Sequence, residues 1–239
     1  MANTDYTNIS KSLGLKLVNG HAFSQSQVSQ STSLDIGNGV CRALVILWLQ
    51  EKKKAKINQN FWNGSGINST IVNASITLQA AIDLQKEYAS VFSSTWNTLQ
   101  QNTTWVPDVT TGNELKKSSI IIDTGNMTAS AQYGFGTLLP NDEPEKIAEK
   151  IANSGSRFDI LSISGTMLSN GNRIGHSIGL YRELKHGIGK SKYLYLFDPN
   201  IGEFEVKGKQ DMEELLKLLS HTPAYNTINW DKYVLWTYN

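Results

Sequence analysis

The sequence predicts an α+β fold, with helices in the first half of the chain and an antiparallel sheet in the second. Two observations carry this: apolar residues recur at helical spacing before Pro140, and run in short blocks between turn residues after it. A third is the absence of the strand–helix alternation that builds a parallel sheet.

Residues 1–34 are polar and rich in Ser and Gln ("HAFSQSQVSQSTS"), and read as a leader or loosely packed arm, with the folded domain over 35–239. From Val40 the pattern changes. Cys41, Leu44, Val45, Trp48 and Leu49 fall on one face of a helix, and Lys52, Lys53, Lys54 and Lys56 at its end complement the helix dipole. Residues 58–73 form a Gly/Asn/Ser loop, 76–92 read as a second helix, and 120–122 as a short buried strand. After Pro140, residues 143–153 read as a helix with Asn141 or Asp142 as cap and Pro144 in its first turn. Three apolar runs follow, "RFDILSIS", "RIGHSIGLY" and "KYLYLFD", separated by the hairpin-type segments "SNGN" and "KHGIGK". "GEFEV" is a fourth strand, "DMEELLKLL" a helix capped by Asp211, and "YVLWTY" a last strand.

Composition narrows the function. The 239 residues carry a formal net charge of only +1, so no global electrostatic footprint for nucleic acid or an anionic membrane exists. A single cysteine makes neither an intramolecular disulfide nor a structural zinc site, and no cofactor or metal is expected. No apolar run approaches the roughly 20 residues that span a bilayer. The first residues lack the basic and apolar regions of a signal peptide, and Ala2 excludes an N-myristoyl anchor. Without an export signal, the Asn-x-Ser/Thr triplets at Asn63, Asn68, Asn73, Asn102 and Asn126 follow from the composition rather than mark glycans.

Cys41 stands where the Gly37/Gly39 loop turns into the first helix. There the dipole and the unpaired backbone N–H groups favour a thiolate, whereas a lone cysteine is otherwise a small buried hydrophobe. Of the histidines only His176 lies within a strand pattern, sharing a face with Ile174, Ile178 and Leu180 while Gly175, Ser177 and Gly179 take the other. Such a histidine is commonly a hydrogen-bonded structural residue. Asp198, however, ends the next strand on the face of Leu194 and Leu196, just before Pro199. A carboxylate there suits either a partnership with His176 or a cap for the Pro-Asn turn. The separation of positions 41 and 176 falls inside the roughly 130–150-residue gap between nucleophile and base in papain-like enzymes, and Cys, His, Asp is their chain order.

These residues carry a family resemblance. "GNGVCRALVILWL", "GHSIGLY" and "YLYLFDPNIGEF" resemble the three motif blocks of the YopT-type cysteine proteases, papain-like bacterial effectors and toxins. Gly39, Cys41, Leu44 and Trp48 match the first block, and Gly175 and His176 the second. Phe197, Asp198, Pro199, Asn200, Gly202, Glu203 and Phe204 match the third, which is the most specific. The likeness runs from about residue 35 to the C-terminus.

The resemblance implies a papain-like fold, a nucleophile helix and helical part packed on a C-terminal antiparallel sheet. It implies Cys41 as nucleophile, His176 as base and then acid, and Asp198 as orienter, acting through an acyl-enzyme. An oxyanion hole would join the Cys41 N–H to an amide five or six positions upstream. Those positions hold Ile36 and Asp35, a departure that leaves Asp35, Asn38 or a glutamine of the arm for the role. Asn200 and Gly202 are expected to shape the turn after Asp198, Asn200 as a left-handed residue, and Trp48 and Phe204 to pack the core. The implied substrate is a host protein, a small GTPase or a kinase among relatives, met after secretion or injection into the host cytoplasm. Self-processing of the N-terminus is implied as well. Alternatives are a deamidase, transglutaminase or acyl transferase on the same fold, or an inactive binding module.

Overall fold

A computed structural model describes residues 2–13, 21–33, 35, 39–54, 78–86, 129–136, 143–153, 157–183 and 194–238. The expected loop over 58–73, the strand over 120–122 and the candidate caps Asn141 and Asp142 lie outside them.

The described helices are α1 (Ala2–Ser12), α2 (Gln25–Thr32), α3 (Cys41–Lys54), α4 (78–86), α5 (Glu143–Asn153) and α6 (Lys209–Ser220). The strands are β1 (His21–Ala22), β2 (Ala129–Gly136), β3 (Phe158–Met167), β4 (Arg173–Arg182), β5 (Leu194–Asp198), β6 (Gly202–Val206) and β7 (Ile228–Tyr238). They form one seven-stranded sheet in the order β1-β6-β5-β4-β3-β7-β2, with antiparallel neighbours throughout. The architecture is the expected α+β one.

Period-two alternation along the central strands sends side chains to two different layers. Leu161, Ile163, Ile178, Leu180, Leu196 and Phe204 meet Ile147 and Ile151 of α5 and Met212, Leu215 and Leu219 of α6 in one core. The opposite face of β4 carries α3. There Gly179 leaves room for Trp48: a methyl group at Gly179 would sit 2.9 Å from the indole and 3.1 Å from Val45. Trp48 is fully buried, stacked on Phe197 with ring centroids 5.5 Å apart. Enclosing a large apolar side chain in this way stabilises by roughly 1.5–3 kcal/mol.

Three sequence expectations need correction. The arm is not loosely packed over its described residues: Tyr6 and Ile9 of α1 join the core, Tyr6 stacking on Phe204 at 4.8 Å, and Phe23 is 2% exposed. Asp211 does not cap α6. Gly208 holds that position with φ 120°, and Asp211 sits in the first turn accepting the Lys207 N–H at 3.0 Å. Asn200 is not left-handed; Gly202, with φ 142°, is the residue of that turn needing glycine's freedom.

Candidate active site

The site grows out of an interruption in the sheet. β5 pairs with β4 from Arg182↔Leu194 to Gly179↔Phe197 and ends at Asp198, because Pro199 has no N–H to continue the ladder. From Arg173 to Ile178, β4 therefore has β3 on one side and no described strand on the other. Cys41, the first residue of α3, takes up that place. The Ser177 N–H, which a longer β5 would have engaged, donates to the Cys41 sulfur, as does the Arg42 N–H. Arg42 itself is buried and donates from Nη1 to Ser162 Oγ at 2.9 Å, tying the start of α3 to β3.

His176 is 5% exposed on the face of β4 opposite α3. Its Nε2 lies 3.1 Å from Asp198 Oδ1, and the imidazole also hydrogen-bonds the Cys41 thiol, which leaves Nδ1 as the nitrogen facing sulfur. Asp198 is wholly enclosed, and both its oxygens have hydrogen-bond partners, as a buried carboxylate requires. Besides His176, its Oδ1 accepts the Asn200 N–H at 2.8 Å, and its Oδ2 accepts the Tyr225 hydroxyl. The Tyr225 ring stands edge-on to the imidazole, centroids 5.5 Å apart.

The electrostatics follow from this packing. Burial by itself would push the Cys41 thiol up. The hydrogen bond and positive charge of His176, followed by the Ser177 and Arg42 N–H groups, outweigh it and hold the thiol below its ordinary 9.0. Burial lowers His176, but the Asp198 carboxylate and then the thiolate raise it from 6.5 to about 10. Burial and the Asp198 charge push the Tyr225 hydroxyl well above 10.0, so it stays a donor. The two shifts of the Cys41–His176 pair have the signs of a thiolate–imidazolium couple.

Around this centre the matched motif residues find partners in each other. Glu203 joins Trp48, whose Nε1 donates to Oε2 at 2.9 Å, and Lys52, whose ammonium pairs with Oε1. Trp48 and Phe204 pack the core as expected. Of the oxyanion candidates, Asp35 is solvent-exposed and Asn38 lies outside the described residues. The amide beside the loop that leads into Cys41 comes from the arm instead: Gln25, 6% exposed, accepts the Val40 N–H on Oε1 at 2.9 Å and donates from Nε2 to Asn200 Oδ1 at 2.9 Å. No sequence signal singles out Gln25 or Tyr225; an isolated polar residue in a polar segment and a tyrosine in a turn carry no periodicity. Among the described residues no cluster of His, Cys, Asp and Glu fits a metal ion.

A thiol at a helix N-terminus, an imidazole on a sheet and a carboxylate steadying that imidazole define the papain-like class of arrangement. Residues 16–229 match a peptidase family model, C58, described as "Yersinia/Haemophilus virulence surface antigen". The chain belongs to this family of bacterial cysteine peptidases, the YopT-type family. A similar solved structure is that of the Pseudomonas avirulence protein AvrPphB, 14% identical, with 83% of this chain and 92% of that chain covered and a TM-score of 0.49. No curated protein matches the chain. Among the described residues no helix is long and apolar enough to cross a membrane.

Proposed function

We propose that the protein is a thiol protease of virulence-effector type that is delivered into a host cell and hydrolyses a peptide bond in a host protein. The reading rests on one observation: His176 bridges the Cys41 thiol and the buried Asp198 carboxylate. Cys41 is the nucleophile. Its sulfur attacks the scissile carbonyl carbon, and the oxyanion forms at the α3 N-terminus, where the Cys41 N–H points. On collapse the C–N bond breaks and His176 Nδ1 hands its proton to the leaving amine, leaving a thioester. His176 then takes a proton from water, whose oxygen attacks the thioester and releases the acid and the thiolate. Asp198 keeps the imidazole's orientation and tautomer through both halves.

The test is a census of new protein N-termini in host-cell lysate treated with wild-type chain or Cys41→Ala. Protease activity predicts new N-termini with the wild type only. A mass shift of about one dalton on glutamine, or an adduct, without any backbone cut would replace hydrolysis by deamidation or acyl transfer.

A further inference from the structure

Gln25 sits outside the three motif blocks, in the segment the sequence reads as a leader, yet both ends of its amide engage the active site. Oε1 holds the backbone of Val40, the residue before the nucleophile. Nε2 holds Asn200, whose own N–H binds Asp198. Followed round, the contacts close a ring: Cys41 to His176, His176 to Asp198, Asp198 to Asn200, Asn200 to Gln25, and Gln25 to Val40 beside Cys41. The backbone on either side of Gln25 is pinned to the same turn. Phe23 N–H donates to Ile201 O at 3.0 Å and Gln25 N–H to Pro199 O at 2.9 Å, while β1 pairs with β6 through His21↔Glu203 and Ala22↔Gly202. Phe23 lies against Phe197, ring centroids 6.0 Å apart. The Gln25 side chain also runs past Gly39, whose φ of 101° lets the loop bend round it.

We infer that Gln25 is a positioning residue that makes the N-terminal arm part of the active site: through one amide it fixes the nucleophile's loop to the Asp198 turn, so the Cys41–His176 geometry exists only while this arm is docked. The inference rests on the protease reading of that pair. Its consequence is a limit on processing. A trimmed form that keeps its activity retains the chain from Phe23 onward, and a cut that releases Gln25 switches the enzyme off.

The experiment follows iodoacetamide alkylation of Cys41 against pH in the full chain, for wild type, Gln25→Met and His176→Ala, with thermal melting alongside. Gln25→Met keeps the side chain's length and removes both hydrogen bonds. It is expected to melt within a few degrees of wild type and to lose about tenfold or more of the alkylation rate near pH 6, with the reactivity midpoint displaced upward. Mere loss of stability would leave that midpoint in place. If Gln25→Met alkylates like wild type while His176→Ala does not, the pair exists without help from the arm and the inference is wrong. If wild type is itself inert near pH 6, the protease reading fails first. Should Gln25→Met not fold, Asn200→Ala removes the same bond from its other end, and an unchanged midpoint there overturns the inference equally.

Discussion

Two buried carboxylates stand at either end of one turn, Asp198 before it and Glu203 after it, and they do different work. Both are nearly sealed from water and both face a base. Glu203 meets Lys52, whose ammonium lies 4.6 Å from the Tyr195 ring centroid and 5.4 Å from that of Trp48, and it takes the Trp48 indole N–H as well. Nothing in that group points at a reacting atom; it is a latch between α3 and β6. Asp198 meets an imidazole, which has a second nitrogen, and that nitrogen faces the Cys41 thiol. Burial and an ion pair do not by themselves mark a functional carboxylate. A partner with a proton to pass onward does.

The comparison breaks most sharply under truncation of each side. Cys41→Ala is expected to abolish proteolysis, by at least about ten-thousand-fold, while leaving the melting temperature close to wild type; cleavage and melting of one preparation check both halves. Glu203→Ala is expected to do the reverse. It strands the Lys52 charge and the Trp48 N–H, costing about 3 kcal/mol in denaturant unfolding, while the molecules still folded alkylate Cys41 at the normal pH. A Glu203→Ala protein that folds but no longer alkylates Cys41 at the normal pH would erase the distinction.

Much of this contrast is legible in the sequence. β3 to β6 announce themselves because their apolar residues alternate or run between turn signals, and Cys41, His176 and Asp198 stand out because each interrupts such a pattern with reactive chemistry. α2 is different. "QSQVSQST" has no apolar stripe, and it is held by an N-cap from Ser24 and by contacts of its first residue with a turn far along the chain. β2, "ASAQYGFG", lacks the β-branched residues that mark a strand and is set by pairing with β7. Gln25 and Tyr225 escape for the same reason: Asn200 and Asp198, to which they donate, lie 175 and 27 residues away, and only tertiary structure joins them.

Smaller changes sharpen the picture. Gly179→Ala drives a methyl group into Trp48 on the latch side of β4, and should cost about 1–3 kcal/mol of stability with the alkylation midpoint unmoved. Tyr225→Phe removes only a hydroxyl from Asp198. It should cost about 1–2 kcal/mol, read either as stability or as a fall in kcat with KM unchanged, since Asp198 and not the substrate loses a contact. The pH dependence adds a final test. His176 binds its proton more tightly folded, with a pKa of about 10 against 6.5, so its contribution to stability is complete below about 6.5 and is lost as pH rises through about 10. Urea unfolding across that window should show a steeper decline for wild type than for His176→Ala.

The early stop of β5 leaves one further mark on the molecule. The Ser177 amide proton points at a sulfur where its neighbours along the strand point at carbonyl oxygens. A single backbone resonance thus carries the charge state of the Cys41 sulfur. Its chemical shift will move as the thiol ionises, is alkylated or becomes a thioester, so whoever assigns that one amide can titrate and time the enzyme without labelling it.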